Sequence, residues 1–290
     1  MGVRFTSWNL LHGMAIPPAS LRDGRNVNGE NLAGAMQKLD AQIHSDIYGF
    51  QEVDHFLPRS SSRPQMRDIA EALGARDWAI APSIIGTPGE KWRELGRDEP
   101  EIITNKSSHQ ELMHESYGIG IVSKVPVISW HRLNLGNSPI GMPLVVPGDE
   151  TGKGRPRFIY VRDEPRVAIA AVLENGWVVI NTHLSFVPGF NFAQLGKIKR
   201  WAKALSTENN CRVAIMGDLN LPKNLPVIGS DWISLVQQNT YPSWGAKIQF
   251  DYILARGLQE DDYHPLDVSN LPISPLGISD HLPIAVEIFK

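Results

Sequence analysis

Polar side chains that could bind a metal or move a proton stand at the ends of short apolar runs along this chain. Six such run ends carry carboxylate, amide or imidazole groups: Asn9, Glu52, His183, Asp218 with Asn220, Asp251, and Asp280 with His281. Each residue alone has an ordinary explanation as a turn former or a helix cap. Because a rigid sheet displays the side chains at its strand ends together, the joint pattern predicts a functional site.

These residue types favour one kind of chemistry. Carboxylate and amide oxygens without cysteine are the ligands of a hard cation, so we predict Mg²⁺ or Mn²⁺. Two histidines supply a proton donor and a proton acceptor near neutral pH. A carboxylate such as Asp251 could fix the tautomer of a histidine and stabilise its cation. Together these groups suit the attack of water on a phosphate ester, whose phosphoryl charge must be neutralised.

The elements that must position these residues alternate along the chain. Short apolar runs rich in β-branched residues predict strands over 3–8, 47–50, 119–123, 167–173, 177–181, 213–216, 250–254 and 284–289. Apolar residues at helical spacing predict helices over 30–44, 65–73 and 191–206, and Gly74 suits the C-terminal cap of the second helix. Strands interrupted by single helices indicate a layered α/β fold with partly antiparallel pairing.

Composition narrows the class of protein. The 290 residues carry a formal net charge of −3, which gives no overall attraction for nucleic acid or for an anionic membrane. Cys211 is the single cysteine, so an intramolecular disulfide and a cysteine-rich zinc site are excluded. No apolar run is long enough to span a membrane, and the first residues lack the apolar core of a signal peptide. We therefore expect a cytoplasmic protein.

The same length is compatible with one large unit. We expect residues 1–290 to form a single domain, because no linker-like composition separates two halves. Two long polar stretches rich in Gly and Pro, near 82–117 and 134–165, are predicted as loop insertions.

Seven short motifs resemble, in order, those of the endonuclease/exonuclease/phosphatase superfamily. They are Trp8-Asn9, Gly49-Phe-Gln-Glu-Val-Asp54, Tyr117-Gly-Ile-Gly-Ile-Val-Ser-Lys124, Asn181-Thr-His-Leu184, Met216-Gly-Asp-Leu-Asn220, Phe250-Asp-Tyr-Ile-Leu254 and Ser279-Asp-His-Leu-Pro283. The resemblance covers nearly the whole chain. It implies a DNase-I-like, four-layer α/β/β/α sandwich, in which two packed mixed sheets are flanked by helices.

The resemblance also implies a metal site. Glu52 would be the principal metal ligand, with Asn9 beside it. Asp280 would be a neighbouring metal-binding or hydrogen-bonding carboxylate. Asp218 would share the metal site and would orient or deprotonate the attacking water.

The remaining matched positions imply contacts with the phosphate. Asn220 would position the water or a phosphate oxygen, and His281, paired with Asp251, would act as general base or contact the phosphate. His183 would contact the scissile phosphate and help to protonate the leaving group. Arg166 resembles an arginine that many members carry, which predicts substrate binding, although a surface arginine in a salt bridge explains it equally well.

From these observations we predict a divalent-metal-dependent hydrolase of phosphate esters. A phosphodiesterase acting on a small-molecule, lipid or nucleotide substrate is the favoured form. Abasic-site endonucleases typically have Glu-Thr-Lys at the position where this chain has Glu52-Val53-Asp54. A DNA-repair enzyme is therefore less favoured. One alternative is an endonuclease or exonuclease that acts on DNA or RNA with the same site. Another alternative is a catalytically silent binding module. The chain has every motif residue, which argues against a silent module.

Overall fold

The computed structural model describes residues 2–15, 29–108, 115–146, 157–268 and 277–289 of the chain. Its strands in chain order are β1 (Val3–Asn9), β2 (Ile47–His55), β3 (Asp77–Gly86), β4 (Trp92–Arg93), β5 (Ile103–Thr104), β6 (Ser116–Ser123), β7 (Val127–Gly136), β8 (Met142–Val146), β9 (Arg157–Val161), β10 (Arg166–Leu173), β11 (Trp177–His183), β12 (Arg212–Asp218), β13 (Trp232–Ser234), β14 (Asp251–Arg256), β15 (Tyr263–Leu266) and β16 (Ile284–Ile288). The α-helices are α1 (Gly29–Ile43), α2 (Gln65–Ala72) and α3 (Phe190–Asn209). Single 3₁₀ turns occupy Leu11–Gly13, Pro58–Ser60 and Glu260–Asp262.

The strands form two large mixed sheets. The first sheet has the order β15-β16-β1-β2-β6-β3-β4, and β5 also pairs with β3. The second has the order β13-β14-β12-β11-β10-β7, while β8 and β9 form a separate hairpin. The β1–β2 and β11–β12 pairs are parallel. Parallel neighbours end at the same edge of a sheet, which brings the residues that follow them together.

Apolar clusters hold the sheets and helices in four layers. The faces of the two sheets meet in a buried cluster that includes Phe5, Ile169 and Val179. Helices α1 and α2 cover the outer face of the first sheet, and α3 covers the outer face of the second through side chains such as Leu195 and Ile198. Each helix therefore buries the apolar stripe that its periodicity indicates. The predicted four-layer α/β/β/α sandwich is confirmed.

The predicted strands are all present, but one boundary was wrong in a way that concerns the site. The pattern places Glu52 at the end of its strand, whereas β2 continues to His55. A bulge between Phe50 and Val53 interrupts the register with β6 and lets the strand go on. Apolar patterning cannot reveal such a bulge, because the extra residue leaves no change in composition.

The two long polar segments hold more regular structure than their composition indicates. Residues 82–117 include the end of β3, all of β4 and β5, and the start of β6; residues 134–165 include the end of β7 and the β8–β9 hairpin. Residues 109–114 and 147–156 lie outside the described residues. The single-domain and insertion interpretations stay predictions. Within the described ranges, no helix is both long and apolar enough to cross a membrane.

Candidate active site

The predicted site residues meet at one edge of the sandwich. Both sheets contribute residues to this site. Asn9 ends β1 and Glu52 lies in β2, both in the first sheet. In the second sheet, the strand register places His183 beside Asp218 and Asp218 beside Asp251. A hydrogen bond of 3.1 Å from Asn9 Nδ2 to Asp218 Oδ2 joins the two groups. The site is therefore complete only when the two sheets are packed together.

Asp218 lies at the centre of the arrangement. Its Oδ2 atom is 3.6 Å from His183 Nε2 and 3.7 Å from His281 Nε2. Its Oδ1 atom accepts the backbone N–H of Asn220 at 2.9 Å. The carboxylate is buried, so its orientation is set by these three groups and by Asn9 rather than by solvent.

His281 is held from several sides. Its Nδ1 atom lies 2.7 Å from Asp251 Oδ2, which leaves Nε2 directed toward Asp218. Trp8 Nε1 donates to its carbonyl at 2.9 Å, and its backbone N–H donates to Ser279 Oγ at 3.0 Å. The ring of Tyr241 packs against the imidazole with 5.1 Å between centroids. These contacts keep Asp251 bound to the Nδ1 atom and hold the plane of the imidazole ring in place.

Glu52 enters the site through the β2 bulge. Its backbone has a φ of +55°, a left-handed conformation that costs a residue with a side chain about 1 kcal/mol or more. Asn9 Nδ2 donates to Glu52 Oε1 at 3.0 Å, while Asn9 Oδ1 accepts the N–H of Leu11 at 3.1 Å. In this arrangement Asn9 holds two carboxylates, Glu52 and Asp218, as a donor. Its predicted role as a metal ligand stays a prediction.

The carboxyl groups are strongly affected by burial and by one another. Burial, followed by the negative charge of Asp280, raises the pKa of Glu52 to about 7. Burial and the charge of Asp251 raise the pKa of Asp218 to about 6, against the opposing effect of His281. Burial also raises the pKa of Asp280. Carboxylates held together in this way bind protons, or a metal cation in their place.

The donor atoms fit a hard divalent cation. Asp251 Oδ1 and Asp280 Oδ1 are buried and have no hydrogen-bond partner within the described part of the chain. One donor atom each from Asp218, Asp251 and His281 lie within 4.8 Å of one another. Since Asp251 and His281 already bind each other, the carboxylates of Glu52 and Asp280 match the predicted metal ligands better than the imidazole does.

The two histidines differ in protonation. Burial lowers the pKa of His281, but the charges of Asp251 and Asp218 outweigh it and raise the pKa to about 10. Burial, together with the positive charges of Arg166 and His281, lowers the pKa of His183 well below its ordinary value. At neutral pH one imidazole is therefore a cation and the other is neutral. Groups whose pKa values are pushed apart in this way are suited to different proton-transfer roles.

The remaining two predicted residues flank this centre. Asn220 has a φ of +50°, and its Nδ2 atom donates to the carbonyl of Leu184 at 2.9 Å. Arg166 is only 5% exposed, so its interpretation as a surface arginine does not hold. Its Nη2 atom lies 3.4 Å from Glu164 and 3.6 Å from Asp163. The buried Nε atom has no hydrogen-bond partner within the described ranges.

We expect Arg166→Met to lower the free energy of unfolding by about 3 kcal/mol, because it strands buried carboxylates without their cation. Urea unfolding monitored by circular dichroism measures this. Arg67→Met is the matched control, since Arg67 is half exposed and pairs with Glu71 at 3.8 Å. Its loss should be below about 0.5 kcal/mol. Equal losses in both variants would contradict a buried role for Arg166.

The prediction missed two residues that lie against the site. Tyr241 packs on His281, and burial together with the charges of Asp280, Asp218 and Glu52 raises the pKa of its hydroxyl. Asn181 is completely buried between the sheets. It belongs to the Asn-Thr-His motif, so the signal was present, but a motif does not reveal which way a side chain points. Tyr241 carries no pattern that singles it out.

Comparisons with known proteins identify the family of this chain. The sequence profile of the endonuclease/exonuclease/phosphatase family matches residues 6–281. No curated protein sequence matches the chain significantly. Among solved structures, a family protein from Bacteroides vulgatus is 15% identical with a TM-score of 0.59, covering 99% of this chain and 98% of that one.

Two further structures carry functional names. The mannosyl-6-phosphatase Bt3783 of Bacteroides thetaiotaomicron is 15% identical with a TM-score of 0.55, covering 99% of this chain and 100% of that one. The catalytic domain of human nocturnin is 15% identical with a TM-score of 0.56, covering 99% of this chain and 92% of that one. At such identities these similarities concern the fold alone. The profile match over nearly the whole length decides membership: the chain belongs to the endonuclease/exonuclease/phosphatase family of phosphoester hydrolases.

Proposed function

We propose that this protein is a divalent-metal-dependent phosphodiesterase that hydrolyses a small-molecule, lipid or nucleotide substrate. The observation that carries the proposal is the position of Asp218. Its carboxylate lies between a neutral His183 and a cationic His281, at 3.6 and 3.7 Å, and on the same edge as the carboxylate of Glu52. This combination supplies a proton acceptor, two groups that can contact a phosphate, and a cation site.

In the proposed mechanism Asp218 orients the attacking water and accepts its proton. Burial raises the pKa of this carboxyl and so strengthens it as a proton acceptor, an effect that a bound cation would oppose. Asn220 donates its backbone N–H to the other carboxylate oxygen and so fixes the angle of the base. Of the roles open to His281, contact with the phosphate fits its protonation better than that of general base, since its pKa near 10 keeps it cationic.

His183 and Arg166 complete the phosphate contacts. His183 is neutral and buried, so its imidazole can donate a hydrogen bond to the phosphate or the leaving-group oxygen without a full charge. Arg166 lowers the pKa of His183 through its positive charge, and its buried Nε atom has no hydrogen-bond partner in the described part of the chain. Asp251 keeps His281 in its cationic form, and the resulting imidazolium balances negative charge on the phosphoryl oxygens.

Glu52 and Asp280, with Asp218, would hold Mg²⁺ or Mn²⁺. When bound, the cation would neutralise negative charge on the phosphate and lower the pKa values of the carboxylates that bind it. The Asn9 amide donates to both Glu52 and Asp218 and so keeps the two carboxylates oriented.

A hydrolysis panel tests the proposed function. Purified protein is incubated with bis(p-nitrophenyl) phosphate, nucleotides, phospholipid vesicles, inositol phosphates, RNA and plasmid DNA. Because one structural neighbour is named a mannosyl-6-phosphatase, a hexose 6-phosphate is included. We expect hydrolysis of a diester with MgCl₂ or MnCl₂, its loss on addition of EDTA, and its recovery when the metal is restored.

The panel also separates the alternatives. Hydrolysis confined to DNA or RNA would replace the proposed substrate class by a nuclease. The net charge of −3 favours the other substrates, because duplex binding depends on neutralising phosphates with lysine and arginine. Failure to hydrolyse any class with either metal would reject the enzyme assignment in favour of a silent binding module.

A further inference from the structure

Asn181 is a polar side chain in an apolar place. It lies on β11 of the second sheet and is completely buried, and its register partners Ile169 and Met216 belong to the apolar cluster between the sheets. Burying an amide there costs several kcal/mol unless its hydrogen bonds are satisfied. Such a residue needs a specific reason to be present.

The amide spans the gap between the sheets with three hydrogen bonds. Its Nδ2 atom donates to the carbonyls of Phe50 and Gly120, both at 2.8 Å. Its Oδ1 atom accepts a hydrogen bond from Gln51 Nε2 at 2.6 Å. Both donors and the carbonyl oxygen are therefore used, and every partner belongs to the first sheet.

These partners surround the bulge that presents Glu52. Phe50 and Gly120 form the last regular pair before the register between β2 and β6 shifts. Gln51, the residue directly before Glu52, also donates to Ser7 Oγ at 3.2 Å. A Cβ atom on Gly49 would lie 3.0 Å from the Asn181 side chain, so the glycine leaves room for the amide to reach β2.

The strand that carries Asn181 also carries a residue of the site. His183 follows Asn181 by two residues on β11, and its register partner is Asp218. The distance between Glu52 on one sheet and Asp218 on the other therefore depends on how the sheets sit against each other. Displacements of about 1 Å in such constellations cost about 100-fold in rate.

We propose that Asn181 is a positioning residue that fixes the Glu52 bulge to the second sheet and thereby sets the affinity for the divalent cation. The inference deepens the proposed function and rests on it. It assigns no contact with substrate to Asn181. The left-handed backbone of Glu52 requires support from its surroundings, and the hydrogen bond between Gln51 and Asn181 provides it.

Mn²⁺ binding to the purified protein tests the inference without relying on activity. Asn181→Ser removes at least one of the two donated hydrogen bonds. We expect calorimetric titration to give a Kd for Mn²⁺ that is about 10- to 100-fold weaker than in the wild type, as for other residues that orient a metal ligand. Titrations are made at a temperature at which circular dichroism finds each variant folded.

Thr6→Val is the matched control. Thr6 is also completely buried in the first sheet, and its Oγ1 atom shares a 2.6 Å hydrogen bond with Ser45. This variant should lose stability while its Kd for Mn²⁺ stays within about twofold of the wild type, because the hydrogen bond that it removes joins Thr6 to Ser45 and not to the bulge. A merely structural role for Asn181 predicts the same Kd in both variants.

The outcomes are distinct. If Asn181→Ser folds and binds Mn²⁺ like the wild type, the inference is overturned while the proposed function stands. If the wild type itself binds no Mn²⁺ and hydrolyses nothing, both fail. Should Asn181→Ser not fold, Gln51→Met decides, because it removes only the hydrogen bonds that Gln51 donates. An unchanged Kd in that folded variant would also overturn the inference.

Discussion

Replacing Asp218 with asparagine is expected to lower the turnover number by about 10²- to 10⁴-fold, the contribution typical of a positioned general base. Asparagine has nearly the same volume, so the buried site keeps its packing. It cannot accept the proton of the water, and its amide would face the donated N–H of Asn9 at the position where Oδ2 now lies. Steady-state kinetics on the best substrate of the panel, with saturating Mn²⁺, measures the loss.

Asp231→Asn is the control for this experiment. Asp231 lies on the surface, where it pairs with Lys203 at 3.0 Å and Arg256 at 2.9 Å. Exposed ion pairs contribute little to the stability of a fold, so the turnover number of this variant should stay within about twofold of the wild type. If folded Asp218→Asn retained a turnover number within tenfold of the wild type, the proposed mechanism would be wrong.

The second large effect is expected at the pair formed by His281 and Asp251. His281→Ala should lower the turnover number by about 10²- to 10⁴-fold, because it removes the cation that faces the phosphate. Asp251→Asn should cost about 100-fold or more, since the imidazole loses the partner that keeps it charged and oriented at 2.7 Å.

A double mutant separates this pair from two independent contributions. If Asp251 acts through His281, the turnover number of the double variant should match that of His281→Ala alone. Multiplication of the two losses would mean that Asp251 acts on its own, for instance on the metal. His264→Ala, at an exposed position of β15, should leave the turnover number unchanged.

Much of this site was predictable because the relevant information is local. Asn9, His183 and Asp218 come at the ends of apolar runs, and the register of three neighbouring strands then places His183, Asp218 and Asp251 side by side. The helices were predictable for the same reason, since each buries one apolar stripe on a sheet. Local patterns thus predicted the helices and most of the strand ends, whereas the four-layer arrangement was predicted from the family resemblance.

What could not be predicted depends on contacts between distant parts of the chain. The bulge at Glu52 leaves no trace in the apolar pattern, and the support from Asn181 comes from a strand of the other sheet. The burial of Arg166 follows from its packing beside Asp163, Glu164 and the ring of Phe186. Strand β7 was missed because its half-exposed, polar sequence is typical of a sheet edge rather than a core.

The hydrogen bond from Ser279 Oγ to the carbonyl of Asn9 joins positions 270 residues apart in the chain. β1 pairs on one side with β2 and on the other with β16, which begins three residues after His281. During synthesis on the ribosome, one edge of β1 therefore stays unpaired until β16 has emerged. An open edge of this kind can pair with strands of other nascent chains. Activity should accordingly appear abruptly, with the last strand, rather than grow as the chain lengthens.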